Sequence, residues 1–252
     1  MHVSLRLNSF YSFHNASLWT PNLRTLVEAS LRVIPEFLLP EEEKSLLEEV
    51  EPHMKRLRYE KSHWDNAIHL YREREQKKWL PSNEAVLQRI RYHFGNSAFY
   101  YLYIYILIYI YICIFFNILR NESFALDTHH ITYVHILDLH KDGVIKPHID
   151  SSRYCGDVIT GVSLLSDCVM RLRHKDRKDE LVVDLLLPRR SLYRLGEISR
   201  YEFTHEVLAN NESKFNGRTI VKDRRISIIC RDLPKRENIL QGQIEMKPIP
   251  EI

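Results

Sequence analysis

Residues 134–166 read VHILDLHKDGVIKPHIDSSRYCGDVITGVSLLS. Two apolar runs, 134–139 and 158–165, flank a connecting stretch that carries Asp142, Gly143 and the tetrapeptide Pro147-His148-Ile149-Asp150. Short apolar runs rich in β-branched residues and bounded by Gly, Pro, Asp or Ser read as strands. The signature recurs at 168–173, 181–187, 191–195, 201–207 and 225–231. Seven short strands without helical text between them indicate a sandwich or jelly roll, in which sheets cover one another's apolar faces. This β-rich core is placed at 133–234, and the Pro-containing polar stretch 235–252 is read as a tail.

Upstream the text changes period, and 31–94 is read as an N-terminal helical region. Pro40 followed by Glu41, Glu42 and Glu43 puts proline and negative charge where a helix start favours them. Leu46, Leu47 and Val50 make the apolar stripe, and Pro52 is expected to end the helix. A second helix is expected from about Ser82, with Val86, Leu87 and Ile90 on one face.

Residues 95–132 stand apart. Within them, 98–119 (AFYYLYIYILIYIYICIFFNIL) is a run of 22 uncharged residues, long enough to cross a membrane. Its six tyrosines are spread along the run, whereas membrane helices gather Tyr at their ends. Alternating Ile and Tyr also results when an AT-repeat is read as codons. The segment is therefore read as a translated intron, with a membrane span and a buried strand pair as alternatives.

Composition bounds the partners. Apolar residues make up 44% and charged residues 27% of the chain, which excludes a wholly disordered or collagen-like protein. A net charge of +3 supplies no chain-wide electrostatic footprint for nucleic acid. The four cysteines, Cys113, Cys155, Cys168 and Cys230, form no C-x-x-C pair and are read as reduced thiols. Glu28 is the first acid of the chain, and Arg6, Arg24 and several serines precede it. That acid-free start is the composition of a mitochondrial transit segment, assigned to residues 1–30.

The chemistry is sought among the histidines. An octahedral iron(II) that must also bind a bidentate cosubstrate and O2 keeps three protein ligands, typically two His and one carboxylate. On a strand, residues i and i+2 point the same way, so H-x-D supplies two ligands at once. The motif occurs four times, at His63/Asp65, His140/Asp142, His148/Asp150 and His174/Asp176, so context must choose. His174/Asp176 lies in the mixed-charge run RLRHKDRKDE, a solvated hairpin tip. His140/Asp142 precedes Gly143 and reads as a turn. His63/Asp65 lies in the helix-prone region, where i and i+2 diverge. His148/Asp150 remains, with His205 of RYEFTHEV as the third ligand. In the last strand, Arg225, Ser227 and Arg231 share one face, and inward arginines require a carboxylate partner. The guanidinium fork suits a bidentate carboxylate.

The ordered set PHID…FTH…RISIICR resembles the AlkB family of Fe(II)- and 2-oxoglutarate-dependent dioxygenases, and within it a mitochondrial branch. The stretches HWDNAIHLYRERE at 63–75 and SLYRLGEISRYEFTHEV at 191–207 extend the likeness, which omits 95–132. The resemblance implies a double-stranded β-helix, or jelly-roll, core with flanking N-terminal helices. It implies iron on His148, Asp150 and His205, Arg225 on the distal carboxylate of 2-oxoglutarate, Arg231 as a second cosubstrate-side arginine and Tyr193 as a hydroxyl donor. O2 is the other cosubstrate. The expected activity is hydroxylation of a protein or small molecule in the mitochondrial matrix, in a branch linked to regulated necrosis and lipid metabolism. Two departures weigh against nucleic-acid demethylation. The family's N-x-Y pair before the metal motif is replaced by Leu137-Asp138-Leu139, and 56–79 offers no stacking platform beyond Trp64, Tyr71 and Trp79. Demethylation of RNA or DNA and a catalytically silent interaction protein remain as alternatives, and membrane association is not favoured.

Overall fold

The computed structural model describes residues 10–92 and 131–235. Three N-terminal strands, β1 (Tyr11–Phe13), β2 (Leu31–Ile34) and β3 (Ile68–Gln76), alternate with helices α1 (Pro21–Ser30), α2 (Pro40–Met54) and α3 (Pro81–Tyr92). The C-terminal part runs β4 (Val134–His148), β5 (Val158–Leu164), β6 (Cys168–His174), β7 (Val182–Leu187), β8 (Leu192–Gly196), a short α4 (Glu197–Tyr201) and β9 (Phe203–Val207). After a two-residue hairpin, β10 (Lys214–Phe215) and β11 (Arg218–Thr219), the last strand is β12 (Arg225–Arg231). All seven strands expected from the sequence are present, each within two or three residues of its expected ends except β4, which runs on to His148. Together with β1–β3 they build one curled antiparallel sheet in the order β1-β7-β6-β9-β4-β12-β5-β8-β2, with β3 added against β4. This is the expected mainly-β, double-stranded β-helix architecture.

Period-two alternation sorts the side chains into two cores. On β12, Ile226, Ile228 and Cys230 face α2 and α3, where they meet Leu46, Val50, Met54, Leu87 and Ile90. The opposite face of β12 carries Arg225, Ser227, Ile229 and Arg231 into the interior of the roll. There, Tyr193, Leu195, Phe203 and Leu137 form the second core, closed at one end by Trp19 of the α1 approach. Trp19 stacks on Phe203 with centroids 6.1 Å apart.

Three local expectations are corrected. Pro52 does not end α2, which continues to Met54 with the proline in its last turn. The 31–94 region is not purely helical, because β2 pairs with β8 and β3 with β4. His140/Asp142 is not in a turn but inside β4. Gly143 serves close packing there, since a Cβ on it would lie 2.7 Å from the Leu70 carbonyl oxygen of β3.

Residues 11–30, part of the 1–30 stretch assigned from composition to a mitochondrial transit segment, contribute to this fold. Tyr11 pairs with Leu185 in β7, and Trp19 and Val27 are buried in the inner core. The 98–119 run and Cys113 lie outside the described residues. Among those described, no helix is long and apolar enough to cross a membrane, and Cys155, Cys168 and Cys230 are free buried thiols.

Candidate metal centre

The β4–β9 ladder places His148 directly opposite His205, and their rings are 4.3 Å apart centre to centre. Asp150 follows two residues after the end of β4, and its Oδ1 lies 3.3 Å from His148 Nε2. One ligand atom from each of His148, Asp150 and His205 lies within 4.8 Å of the other two. The His148 Nδ1–H donates to the Lys146 carbonyl at 2.8 Å, which turns Nε2 toward the cluster.

Electrostatics hold His205 and Asp150 in their ligand-competent forms, and a metal ion would take the place of the proton that Asp150 favours on His148. Burial, reinforced by the nearby His148, pushes the His205 imidazole down to about 3, so it stays neutral. Burial opposes the charge of Asp150. The His148 hydrogen bond and the neighbouring His205 and Arg231 outweigh it and hold the carboxyl well below the usual range. Burial also works against charge on His148, but the hydrogen bond and charge of Asp150 prevail and raise its pKa. Two imidazole nitrogens and one carboxylate oxygen fit the facial triad of a non-haem iron(II) centre with open positions.

All six candidates, His148, Asp150, His205, Tyr193, Arg225 and Arg231, line a single cavity. Arg225 is 2% exposed, and among the described residues it has no carboxylate partner. Its Nε donates to Ser163 Oγ at 2.8 Å and its Nη2 to Ser227 Oγ at 3.1 Å. Ser227 Oγ also lies 2.8 Å from the Tyr193 hydroxyl. Gly161 makes room for that ring, since a Cβ there would be 2.7 Å from the Tyr193 hydroxyl oxygen. An unpaired buried guanidinium set among hydroxyls is a site for an incoming carboxylate. A larger groove on the surface of α2, lined by Leu47, Glu48 and Lys55, shares no residue with this cavity.

The other H-x-D pairs are each engaged elsewhere. His63 Nδ1 is 2.6 Å from Asp65 Oδ1, and His140 Nδ1 is 3.5 Å from Asp142 Oδ2. His174 and Asp176 converge with Glu202, but the ammonium of Lys175 lies 3.0 Å from that glutamate and neutralises it. The sequence reading missed three contributors. Ser163 and His135 sit at polar positions on the inner faces of apolar strands, a signal that alternation could have exposed. Glu73 comes from β3, a strand the sequence did not announce.

A jelly roll holding this triad beside a buried arginine defines the class of iron- and 2-oxoglutarate-dependent oxygenases. The profile of the 2OG-Fe(II) oxygenase superfamily matches residues 113–231. The chain is 39% identical over 216 residues to the "Alpha-ketoglutarate-dependent dioxygenase alkB homolog 7, mitochondrial" of Mus musculus, covering 86% of this chain and 83% of that one. The Bos taurus protein of the same name is 40% identical over 203 residues, with 81% and 78% covered. The structure of OsALKBH1 shares the fold, with a TM-score of 0.52, 13% identity, and 80% of this chain and 97% of that chain covered. The chain thus belongs to the AlkB family of 2-oxoglutarate-dependent dioxygenases, which use Fe(2+), 2-oxoglutarate and O2.

Proposed function

We propose that the chain is a hydroxylase of the mitochondrial matrix acting on a protein or a small molecule, with iron held by His148, Asp150 and His205. The observation that carries the site assignment is the convergence of those three ligands on the same cavity as Arg225, a buried cation without a carboxylate partner among the described residues. Iron with 2-oxoglutarate and O2 supplies oxidation of a substrate C–H bond, coupled to decarboxylation of the cosubstrate. The chain's own part is to bind and orient. Arg225 grips the distal carboxylate, the Tyr193 hydroxyl donates beside it, and the apolar wall of Ile159, Met170 and Ile229 excludes water from the cosubstrate.

Nucleic acid is not the favoured substrate. Leu137 packs in the inner core, as does Leu139, and neither restores the family's amide and hydroxyl. Of the three candidate stacking aromatics, Tyr71 is buried, Trp79 is half-buried against the helices, and Trp64 alone is exposed. Both relatives are named mitochondrial, which supports the organelle; the matrix, regulated necrosis and lipid metabolism are parts of this proposal. The test is turnover of 2-oxoglutarate by the purified, iron-loaded protein, with an untargeted oxidation screen of mitochondrial extracts. Succinate formation with oxidation of protein or metabolite supports the reading. Absence of any turnover in the loaded protein points instead to a silent interaction protein, and oxidation confined to RNA or DNA points to a demethylase.

A further inference from the structure

We infer that His135 and Glu73 are a positioning pair that holds Arg231 at the cavity wall through an imidazole rather than a directly bonded carboxylate. The inference rests on the reading of Arg231 as a cosubstrate-side arginine. His135 stands in β4 between β12 and β3, opposite Ile229 on one side and Glu75 on the other. Arg231 and Glu73 are each displaced two residues from those partners, a diagonal that long side chains can span.

The geometry fixes the proton. Arg231 Nη2 lies 2.9 Å from His135 Nδ1. A guanidinium only donates, so Nδ1 must present its lone pair and the ring proton must sit on Nε2. The Nε2–H then donates to Glu73 Oε2 at 3.0 Å. His135 is therefore a neutral imidazole of one tautomer, gripped from both sides. The His135 hydrogen bond holds the Glu73 carboxyl below the usual carboxylate range, so the acceptor is an anion. Its second oxygen lies 3.6 Å from His63 Nε2, and His63 is braced in turn by Asp65 at 2.6 Å.

This arrangement differs from an ordinary buried ion pair. A carboxylate placed directly on Arg231 would cancel its charge and compete with an incoming anion. The imidazole holds the guanidinium while leaving the charge intact. The glutamate one step further away polarises the ring and strengthens Nδ1 as an acceptor, as outer carboxylates do for ligating histidines. Arg231 Nε is buried with no partner among the described residues, so the side chain keeps donor capacity in reserve.

The test is calorimetric titration of 2-oxoglutarate into the full chain loaded with Mn(2+), which reports binding without turnover. His135→Phe keeps a ring but removes the acceptor, and should weaken 2-oxoglutarate about tenfold, the loss of one good hydrogen bond's worth of positioning. Glu73→Ala should act in the same direction, and Glu73→Gln, which keeps an acceptor for Nε2–H, should restore most of the affinity. In an Arg231→Met background, itself weakened, neither substitution should have a further effect. Wild-type affinity in both His135→Phe and Glu73→Ala overturns the inference. So does a loss that is as large in the Arg231→Met background as in the native one, since that marks a general structural role. Should His135→Phe not fold, the Glu73 pair of variants decides alone. Wild-type affinity in Arg231→Met would overturn the cosubstrate reading of Arg231 itself.

Discussion

His148 and His205 are paired residues of the β4–β9 ladder, so two elements far apart in sequence deliver two imidazoles to one point without help from a flexible loop. Ligands on paired strands are held more rigidly than ligands on loops, because ladder hydrogen bonds fix both backbones. Asp150, just past the strand end, completes the set from the same chain segment. His148→Ala and Asp150→Ala should each abolish stoichiometric iron binding. His63→Ala, His140→Ala and His174→Ala should leave it intact. Metal analysis after anaerobic loading and desalting decides; retention of iron by the His148 variant, with loss in the His174 variant, would move the centre to the His174–Asp176–Glu202 cluster.

The part of the fold that sequence revealed is the part with clean alternation. β5, β6, β7 and β12 each bury both faces or one face with period two, and their ends coincide with Gly, Pro or Asp. β3 reads IHLYREREQ, and its charges find partners on β4: Arg72 pairs with Asp138, and Glu73 accepts from His135. A register shift between His69 and Tyr71, with Leu70 at φ 51°, also breaks its period. No local rule distinguishes such a strand from a charged helix. His148/Asp150 could be picked from four H-x-D pairs because strand context is local, and His205 came from the ordered pattern downstream of them. The His135–Glu73 support could not, because it depends on which strand lies beside β4.

The N-terminus separates two expectations that composition had merged. Residues 1–35 fused to a fluorescent reporter should enter mitochondria, as the acid-free start implies. Yet the mature protein should retain Phe10 onward, because β1 and the α1 approach are built into the roll. Trp19→Ala alone should cost about 3–5 kcal/mol, the range for a large aromatic removed from a core. Denaturant unfolding measures that loss, and N-terminal sequencing of the imported protein locates the cleavage. A stable mature form beginning after residue 30 would contradict the structural role given to Trp19.

Asp138 is the buried hub on the helix side of β4. Its carboxylate accepts from Arg72 Nε at 2.7 Å, Arg224 Nη2 at 2.7 Å and the Tyr59 hydroxyl at 3.0 Å. Arg224 also reaches Glu51 of α2 at 2.6 Å, so the carboxylate ties β3, β4, α2 and the start of β12 together. Asp138→Ala strands Arg72, which is 9% exposed, without its counter-charge. Removing one partner of a buried pair costs about 3–5 kcal/mol. Chemical denaturation should show a loss of that order, whereas a loss below about 1 kcal/mol would mean that water replaces the carboxylate there.

Arg225→Lys should raise the 2-oxoglutarate KM strongly while iron affinity stays near that of the native protein. Arg225 lies on β12 two residues from Ser227, and hydroxyls on two adjacent strands, Ser163 and Ser227, fix the plane of its guanidinium. That leaves the fork able to make two parallel charge-assisted bonds to the distal carboxylate. Lysine keeps the charge but offers a point contact on a different stem, and it cannot use both serines to fix a plane. A hydrogen bond to a charged group contributes about 1.5–3 kcal/mol. Losing one therefore weakens the cosubstrate by roughly 10- to 150-fold at about 1.4 kcal/mol per tenfold. Iron is spared because its three ligands come from β4, the segment after it and β9, and none bonds Arg225. Titration of 2-oxoglutarate against the metal-loaded variant settles the matter: native affinity would remove Arg225 from the site. Arg231, which lines the same cavity, would then be the anchoring arginine, and Arg224, committed to Asp138 and Glu51, would not.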